Sequence, residues 1–577
     1  MNPPGQDTQP PATLVAGMLA AAAAYPENGF TFQDAAGRET FYSFPDLLLA
    51  TERAAAGLQS LGLGHGDRIA LLTQDPEEFI IAFLGAVRAG IAPAPLYPPP
   101  PLGGIEIYLS QTVALLDVAR PAALIGSAKV LGDIQAAVAG LDGVKAVATV
   151  QEIRACQAPM TPCEVGPDDV VFLQFTSGST STPRGVIVTH RALVANIACF
   201  MDQSLQADPA RDKGVTWLPL YHDMGLIGFV LGPVHTGVSV VFMPTVRFAK
   251  SPAAWLDALH QHRGTITFAP NFAFALLLRR LRAEDLGRWD LSCVKALGCG
   301  AEPIHPDLIE RFLDVFAAAG LSRDAFLPAY GLAEATLAVA LRRLGAPVST
   351  QRVDRETFER TGVSTPARED RSWLDHVGFG GPFAGHEIAI RDPDGAALPH
   401  GREGDIWLHG PSVCAGYLGD EAGWNAICRD GWLNTGDRGY LADGELFVSG
   451  RSKELIIVNG RNIHPQPLEW AVSALSGVRP QCVAAFAVPS LTTEAIVIAL
   501  EAKGRPTTDL VAAVEDAVED LVACRPLDVV LLPSGSLSRT TSGKLKRGHV
   551  RRRYLDGDLP RLEPTPVSMP VGEAGQP

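Results

Sequence analysis

The stretch Phe175-Thr176-Ser177-Gly178-Ser179-Thr180-Ser181-Thr182-Pro183-Arg184-Gly185 gathers hydroxyl side chains, glycines and one cation directly after the apolar run Val170 to Leu173. Those residue types suit the holding of a polyphosphate. Glycine lets the backbone approach a polyanion, hydroxyls and successive N–H groups donate hydrogen bonds, and the cation offsets charge. A Walker loop is excluded, because six residues separate Gly178 from Gly185 and no Gly-Lys-Ser/Thr follows. Taken alone, the stretch reads either as a phosphate cradle or as a Ser/Thr-rich surface turn.

Six further segments carry groups able to handle charge. Leu218 to Gly225 contains His222 and Asp223; Gly300-Ala301-Glu302-Pro303 and Tyr330-Gly331-Leu332-Ala333-Glu334 set a carboxylate among small residues; Trp432 to Asp437 closes on Thr435-Gly436-Asp437. Gly450-Arg451-Ser452-Lys453-Glu454 and Ser542-Gly543-Lys544 add cations towards the C-terminus. Each has a plain reading when isolated. Asp437 is a turn residue, His222 a satisfied core histidine, and Lys544, with Lys546, Arg547, His549, Arg551, Arg552 and Arg553, part of a solvated helix face.

The elements that must position these groups follow from pattern. Between about 12 and 480, helical segments such as Glu77 to Ala89 alternate with β-branched runs such as Arg68 to Leu72, Val238 to Met243 and Thr265 to Phe268. That alternation predicts an α/β fold with mostly parallel strands. Glu387 to Ile390, Asp405 to Leu408 and Glu445 to Ser449 predict a smaller β-rich layer, turned at Asp394-Gly395 and Asp443-Gly444. Residues 342–376 are polar and break the texture, either as a surface excursion or as a regulatory insertion. The boundaries predicted are a large N-terminal domain over 12–449, a hinge at 450–453, a small α+β domain over 454–557 and a disordered tail over 558–577.

Bulk properties narrow the function classes. A chain of 577 residues holds two to four domains at roughly 100–200 residues each. Hydrophobic content of 47% with 19% charged residues is that of a folded soluble protein, and a net charge of −15 disfavours a nucleic-acid partner. Nine cysteines without a Cys-x-x-Cys pair argue against zinc sites and disulfide frameworks. The apolar run Ala12 to Ala24 has no cationic flank and reads as an alanine-rich helix, so a reducing, cytoplasmic setting is expected. Gly225 to Met243 is long enough for a membrane span, but Pro233, His235 and its glycines interrupt it; buried strands and turns are expected there, and no transmembrane segment.

Together the segments resemble the adenylate-forming (AMP-binding) enzymes: acyl- and aryl-CoA synthetases, luciferases and amino-acid adenylation domains. The likeness runs from about 30 to 555. Within that superfamily the Phe-Thr-Ser-Gly-Ser-Thr-Ser loop, the Leu-Pro-Leu-Tyr-His-Asp-Met-Gly segment and Tyr-Gly-Leu-Ala-Glu-Ala-Thr resemble the fatty acyl-AMP ligases. The polar stretch 342–376 falls where that branch carries an extra segment. The resemblance implies two α/β subdomains plus the β-rich layer, with a mobile C-terminal domain. It implies joining of a medium- or long-chain fatty acid to AMP, with ATP and Mg²⁺ as cofactors. The acyl group then passes to the phosphopantetheine thiol of an acyl carrier protein, in lipid, polyketide or lipopeptide assembly.

The same resemblance implies roles. A carboxylate is a weak nucleophile and ATP a polyanion, so attack on the α-phosphorus rests on charge cancellation and in-line placement. Thr176, Ser177, Gly178, Ser179, Thr180, Ser181 and Arg184 would hold the β- and γ-phosphates, and Glu334 the Mg²⁺. Gly300, Ala301, Glu302, Ala329, Tyr330, Gly331 and Ala333 would form the adenine slot; Asp437 would accept from the ribose hydroxyls and Arg451 add a second sugar contact. Lys544 would bridge the acyl carboxylate and the α-phosphate, and Lys453 would be the hinge about which the small domain swings. His222 joins this set as a group that shapes or gates the acyl pocket, since the substrate acid is already ionised and needs no base. The remaining basic run would dock an acidic carrier, and the insertion would restrain the small domain and deny free CoA a productive site.

Three positions depart from the branch. Arg184 replaces a lysine, a planar fork in place of a point cation. Cys299 stands where asparagine is common, which leaves the adenine-side contact open, and Ser538 stands where proline is usual. Two other readings share the motifs: a fatty acyl-CoA synthetase, and a catalytically silent module that binds acyl chains or nucleotides. The complete set Glu334, Asp437, Arg451 and Lys544 argues against silence.

Overall fold

The computed structural model describes residues 11–99, 105–138, 140, 143–176, 183–490, 494–540 and 543–565. The hydroxyl-rich loop from Ser177 to Thr182, and Ser542 beside Lys544, lie outside the described residues.

The alternating helix and β-branched runs form two α/β layers. In the first, Ala92–Pro95, Arg68–Leu72, Ala123–Gly126 and Ala146–Thr149 pair in that order, all parallel. Its inner strands are buried on both faces, which is why each reads as an unbroken apolar run. The crossover helix Pro76–Arg88 starts where local chemistry puts it. The Asp75 side chain accepts from the Glu78 N–H, proline opens the first turn, and Glu77 and Glu78 face the positive end of the helix dipole.

The second layer has eight strands, in the order Ala338–Leu341, Phe326–Gly331, Ala296–Gly300, Ile266–Ala269, Lys213–Thr216, Ser239–Phe242, Gly29–Gln33 and Glu39–Ser43. The inner pairs are parallel and the outermost pair at each end is antiparallel. Gly300 pairs with Ala329, so two strands end side by side. The crevice beyond such carboxyl ends is where open α/β sheets bind ligands.

An antiparallel layer follows, built from Glu387–Arg391, Gly404–His409, Trp432–Ala442, Cys428–Arg429 and Glu445–Arg451. The polar stretch has structure of its own. Thr350–Asp354 pairs antiparallel with Trp373–Val377 around the helix Arg355–Thr361, and its few apolar side chains, Val353, Phe358 and Leu374, pack on Tyr440 and Phe447. Beyond Ile456 the buried side chains pack among themselves on the sheet Val478–Pro489, Glu494–Ala502 and Asp528–Leu532. Val483, Ala485 and Ala487 face one core and Ala484, Phe486 and Val488 the other, as a period of two requires.

Two stretches differ from expectation. The apolar run Gly225 to Met243 is helical from Asp223 to Thr236, with a single strand at Ser239–Phe242. It is buried on every side, so no polar face marks its helical period. Residues 558–565 are packed rather than disordered: Leu559 is buried, Leu562 N–H donates to Leu531 O at 2.8 Å, and Thr565 bridges to Thr507. Two leucines in a proline-rich stretch suffice to anchor it; the remainder from Pro566 onward lies outside the described residues.

Candidate active site

The crevice at the strand ends opens into a narrow cavity of about 90 Å³. One end is lined by Gly300, Ala301, Ala329, Tyr330, Gly331 and Lys544; the other by Phe200, Met201, Leu205, Pro233, Val238 and Ile266. The first end is kept flat by small residues. A side chain at Gly300 would meet Ala329 O at 2.4 Å, and Ala301 is held at φ +71°, a left-handed backbone that alanine adopts only at a cost.

Above this floor sits a polar relay. The Tyr330 hydroxyl donates to Asp437 Oδ2 at 2.8 Å, and Arg451 Nε pairs with Asp437 Oδ1 at 3.0 Å. Asp437 and Arg451 are register partners in neighbouring antiparallel strands, so the ladder itself sets their pairing. Burial pushes the Tyr330 hydroxyl well above its ordinary pKa, and the Asp437 charge adds to this, so the phenol stays a neutral donor.

Glu334 projects from the short turn Ala333–Ala335. Its backbone is clamped from one side: Cys414 N–H donates to Glu334 O at 2.9 Å and Cys414 Sγ–H to Ala333 O at 3.2 Å. The Tyr417 hydroxyl donates to Glu334 Oε1 at 2.7 Å. Arg184 backs that tyrosine, with its guanidinium carbon 5.0 Å from the Tyr417 ring centre and its Nε 3.9 Å from Asp420 Oδ2. The strand order explains the meeting, because Arg184–Thr189 lies between Val170–Thr176 and Gly416–Tyr417.

Lys544 arrives from the C-terminal sheet's side on a tight turn. Thr540 N–H donates to Lys544 O at 2.7 Å, Lys544 N–H to the Thr540 hydroxyl at 3.0 Å, and Gly543 supplies φ +86°. Burial lowers the Lys544 pKa, opposed by the nearby carboxylates Asp223, Glu302 and Asp437, while Arg451 acts in the same direction as burial. The Glu302 carboxyl is pushed up by its own burial, with the Lys544 cation acting against that. The site therefore holds Lys544 and Arg451, with Arg184 behind, and the carboxylates Asp223, Glu302, Glu334 and Asp437 around the mouth of an apolar cavity.

Other sequence candidates fall around this centre. His222 precedes the helix Asp223–Leu226, its ring 4.9 Å from Tyr221; Asp223 and Met224, which follow it, line the cavity. Cys299 is fully buried and its thiol meets Asn271 Oδ1 at 3.5 Å, so the sulfur belongs to the core beneath the slot. Lys453 lies in the turn Ser452–Glu454, anchored by Ser452 Oγ donating to Asp405 Oδ1 at 2.8 Å. The basic run is only partly a surface: Arg547 is tied to Glu454 and Glu469 at 2.7 and 2.6 Å, Arg551 Nε to Ala487 O at 2.7 Å, and Arg553 to Asp558 O at 2.8 Å. Asp223 and Tyr417 were not singled out from sequence. Asp223 stood in a quoted motif beside His222, whereas no local signal marks Tyr417.

Two side-chain contacts join the C-terminal unit to the rest. His464 Nε2 lies 2.7 Å from Glu403 Oε1, and Arg461 Nε donates to Glu359 Oε2 at 2.9 Å. Glu359 belongs to the helix of the polar insertion. Among the described residues no cluster of three or more metal-binding side chains occurs, and no helix is long and apolar enough to cross a membrane.

The AMP-binding enzyme family matches residues 19–418, which include Tyr330 and Glu334 of this crevice, and the chain belongs to that family. A putative acyl-CoA synthetase of Caulobacter vibrioides is 37% identical over 509 residues, covering 87% of this chain and 88% of that one. The long-chain-fatty-acid–AMP ligase FadD26 of Mycobacterium marinum is 36% identical over 533 residues, covering 87% and 89%. A solved structure from work on fatty acyl-adenylate ligases of E. coli and L. pneumophila superposes with a TM-score of 0.89 at 35% identity, covering 94% of this chain and 98% of that one. Within the family the chain is a ligase of the fatty acyl-AMP ligase branch.

Proposed function

We propose that this chain joins a medium- or long-chain fatty acid to AMP and then passes the acyl group to the phosphopantetheine thiol of an acyl carrier protein. A carboxylate oxygen attacks the α-phosphorus of ATP, the bond to the β-phosphate breaks, and pyrophosphate leaves with the electron pair. In the second half the thiol sulfur attacks the acyl carbon and AMP leaves. The observation that carries this reading is the position of Lys544, half-buried at the junction of the apolar cavity and the Tyr330–Asp437–Arg451 relay, where a carboxylate and an α-phosphate would meet. A cation there offsets charge that builds in the transition state.

The donor set fits Mg²⁺. That ion takes one or two carboxylates plus phosphate oxygens, and Glu334 is one carboxylate held in place by Tyr417. Glu334 would hold the ion, whose chemistry is neutralisation of phosphate charge. The chain's own residues do the rest: Asp437 accepts from the ribose, Gly300 and Ala301 leave room for the base, and Arg184 supports the tyrosine behind Glu334 while the loop from Thr176 grips pyrophosphate. Nine free cysteines support a reducing, cytoplasmic setting.

A carrier rather than free CoA as acceptor is supported by the Glu359–Arg461 pair, through which the insertion restrains the C-terminal unit. The synthetase relative makes CoA the second reading. Incubation with ATP and a panel of fatty acids, followed by assay for acyl-AMP, acyl-CoA and acylated carrier, separates them. Acyl-AMP and acylated carrier are expected. Rapid acyl-CoA formation overturns the carrier assignment, and no pyrophosphate release with any acid overturns adenylation.

A further inference from the structure

We propose that the ring of Phe200, seated against Gly232, sets the longest tail the cavity accepts, and that the accepted tail is a plain hydrocarbon without polar groups; this rests on the acyl-adenylating reading of the site. The cavity runs along the strands. Ile266 pairs with Gly214 and with Ala296, and Gly300 stands four residues beyond Ala296, a depth of about 13 Å at about 3.3 Å per residue. Walls facing these strands come from two π-helical stretches, Ala198–Ser204 and Ile227–Leu231, which bring Phe200, Met201, Gly228 and Phe229 to the lining. Such wide turns are rare and concentrate at functional sites.

The two stretches meet at a single glycine. A Cβ on residue 232 would lie 2.8 and 2.9 Å from the outer carbons of the Phe200 ring, so the ring occupies its place only because residue 232 has no side chain. Phe200 is 4% exposed, and Leu205 and Val238 beside it are as deeply buried, so this end of the cavity lies inside the core. Pro233 and Val238 sit on packed elements, whereas the Phe200 position follows from what faces it. The polar lining groups, Asp223, Tyr330 and Lys544, belong to the nucleotide end. A hydroxyl or second carboxylate far along the tail would be buried without a partner.

The test uses the full chain, ATP and Mg²⁺ with saturated acids of rising length and their ω-hydroxy counterparts, reading kcat/KM by pyrophosphate release and affinity for the acids alone by calorimetry. The wild type is expected to show a length cut-off, with about a ten-fold loss for each methylene beyond it, and about a 10²-fold preference for the plain acid over its ω-hydroxy form. Phe200→Ala should move the cut-off to longer acids. Gly232→Ala should move it to shorter ones by pushing the ring inward, and Phe200→Leu, which keeps the helix intact, should give an intermediate cut-off. An unchanged cut-off in both Phe200 variants overturns the wall, and equal use of ω-hydroxy acids overturns the plain-tail assignment. If the wild type releases no pyrophosphate, the adenylation reading fails; calorimetric affinity that does not depend on length then overturns the wall as well, whereas a cut-off relieved by Phe200→Ala upholds it.

Discussion

Replacing Glu403 by glutamine perturbs the hold that keeps Lys544 at the cavity. Glu403 is buried in the antiparallel layer, with His464 Nε2 at 2.7 Å, Arg438 donating at 3.1 Å, and the Ser449 hydroxyl as a third partner. His464 opens the helix Pro465–Ser473, so the pair bridges to the C-terminal unit. Burial alone would raise the Glu403 pKa, but the His464 and Arg438 charges outweigh it and hold the carboxyl down to about 2, from 4.5. At 1.36 kcal/mol per pH unit, that gap corresponds to about 3 kcal/mol of stabilisation of the folded, docked state. Because the folded pKa lies below the unfolded one, this stabilisation is complete above about 4.5 and is lost as pH falls through about 2.

Glu403→Gln should therefore cost about 3 kcal/mol of stability, of which the share made with His464 is lost from docking and the share made with Arg438 and Ser449 from the layer itself. Trypsin cleavage after Arg451 or Lys453 reads the undocked population, and urea unfolding reads stability. Faster cleavage and an earlier unfolding midpoint are expected at pH 7, with Glu403→Asp intermediate. The difference from wild type should shrink below about pH 4, as the Glu403 carboxylate takes up its proton. Identical cleavage rates and midpoints at pH 7 would refute the assignment of the pair as a latch.

Lys544→Ala should cost about 10²–10³ in the rate of acyl-AMP formation, as for loss of one transition-state donor, with ATP binding little changed; near-normal turnover removes its bridging role. Glu359→Ala leaves Arg355 and Arg461 buried without their carboxylate; acyl-CoA formation from free CoA should rise, and its absence would detach the insertion from acceptor choice. Tyr417→Phe removes the hydroxyl bonded to Glu334 and should raise the Mg²⁺ concentration needed for half-maximal rate. Arg184→Lys, which loses the planar stack on Tyr417, should change the apparent ATP affinity; unchanged values in both would leave the holding to the loop itself.

Much of this was legible because it is local. Asp75 before Pro76 marks a helix start in any context, and Asp-Gly at 394–395 and 443–444 turns the chain by its left-handed glycine, at φ +88° and +79°. Tyr330, Glu334, Asp437 and Arg451 were legible through the resemblance of their motifs to a known family, and the ladder that pairs Asp437 with Arg451 keeps those two within reach. The helix from Asp223 to Thr236 was not legible, since a segment buried on all sides carries no polar face from which to read a period. The arginines at 547 and 551 read as a charged surface because their partners Glu454, Glu469 and Ala487 come from other elements.

By itself, then, the amino-acid order determined the α/β layers, the turns and the residue types of an adenylating site, all properties of short windows and fixed spacings. Only the tertiary structure decided which groups meet. Asp223 and Lys544 line one cavity, Arg184 stacks on Tyr417 behind Glu334, Glu359 of the insertion reaches Arg461, and Phe200 lies where Gly232 leaves space. The physical reason is that such contacts are set by close packing between elements distant along the chain, and packing depends on every neighbour at once.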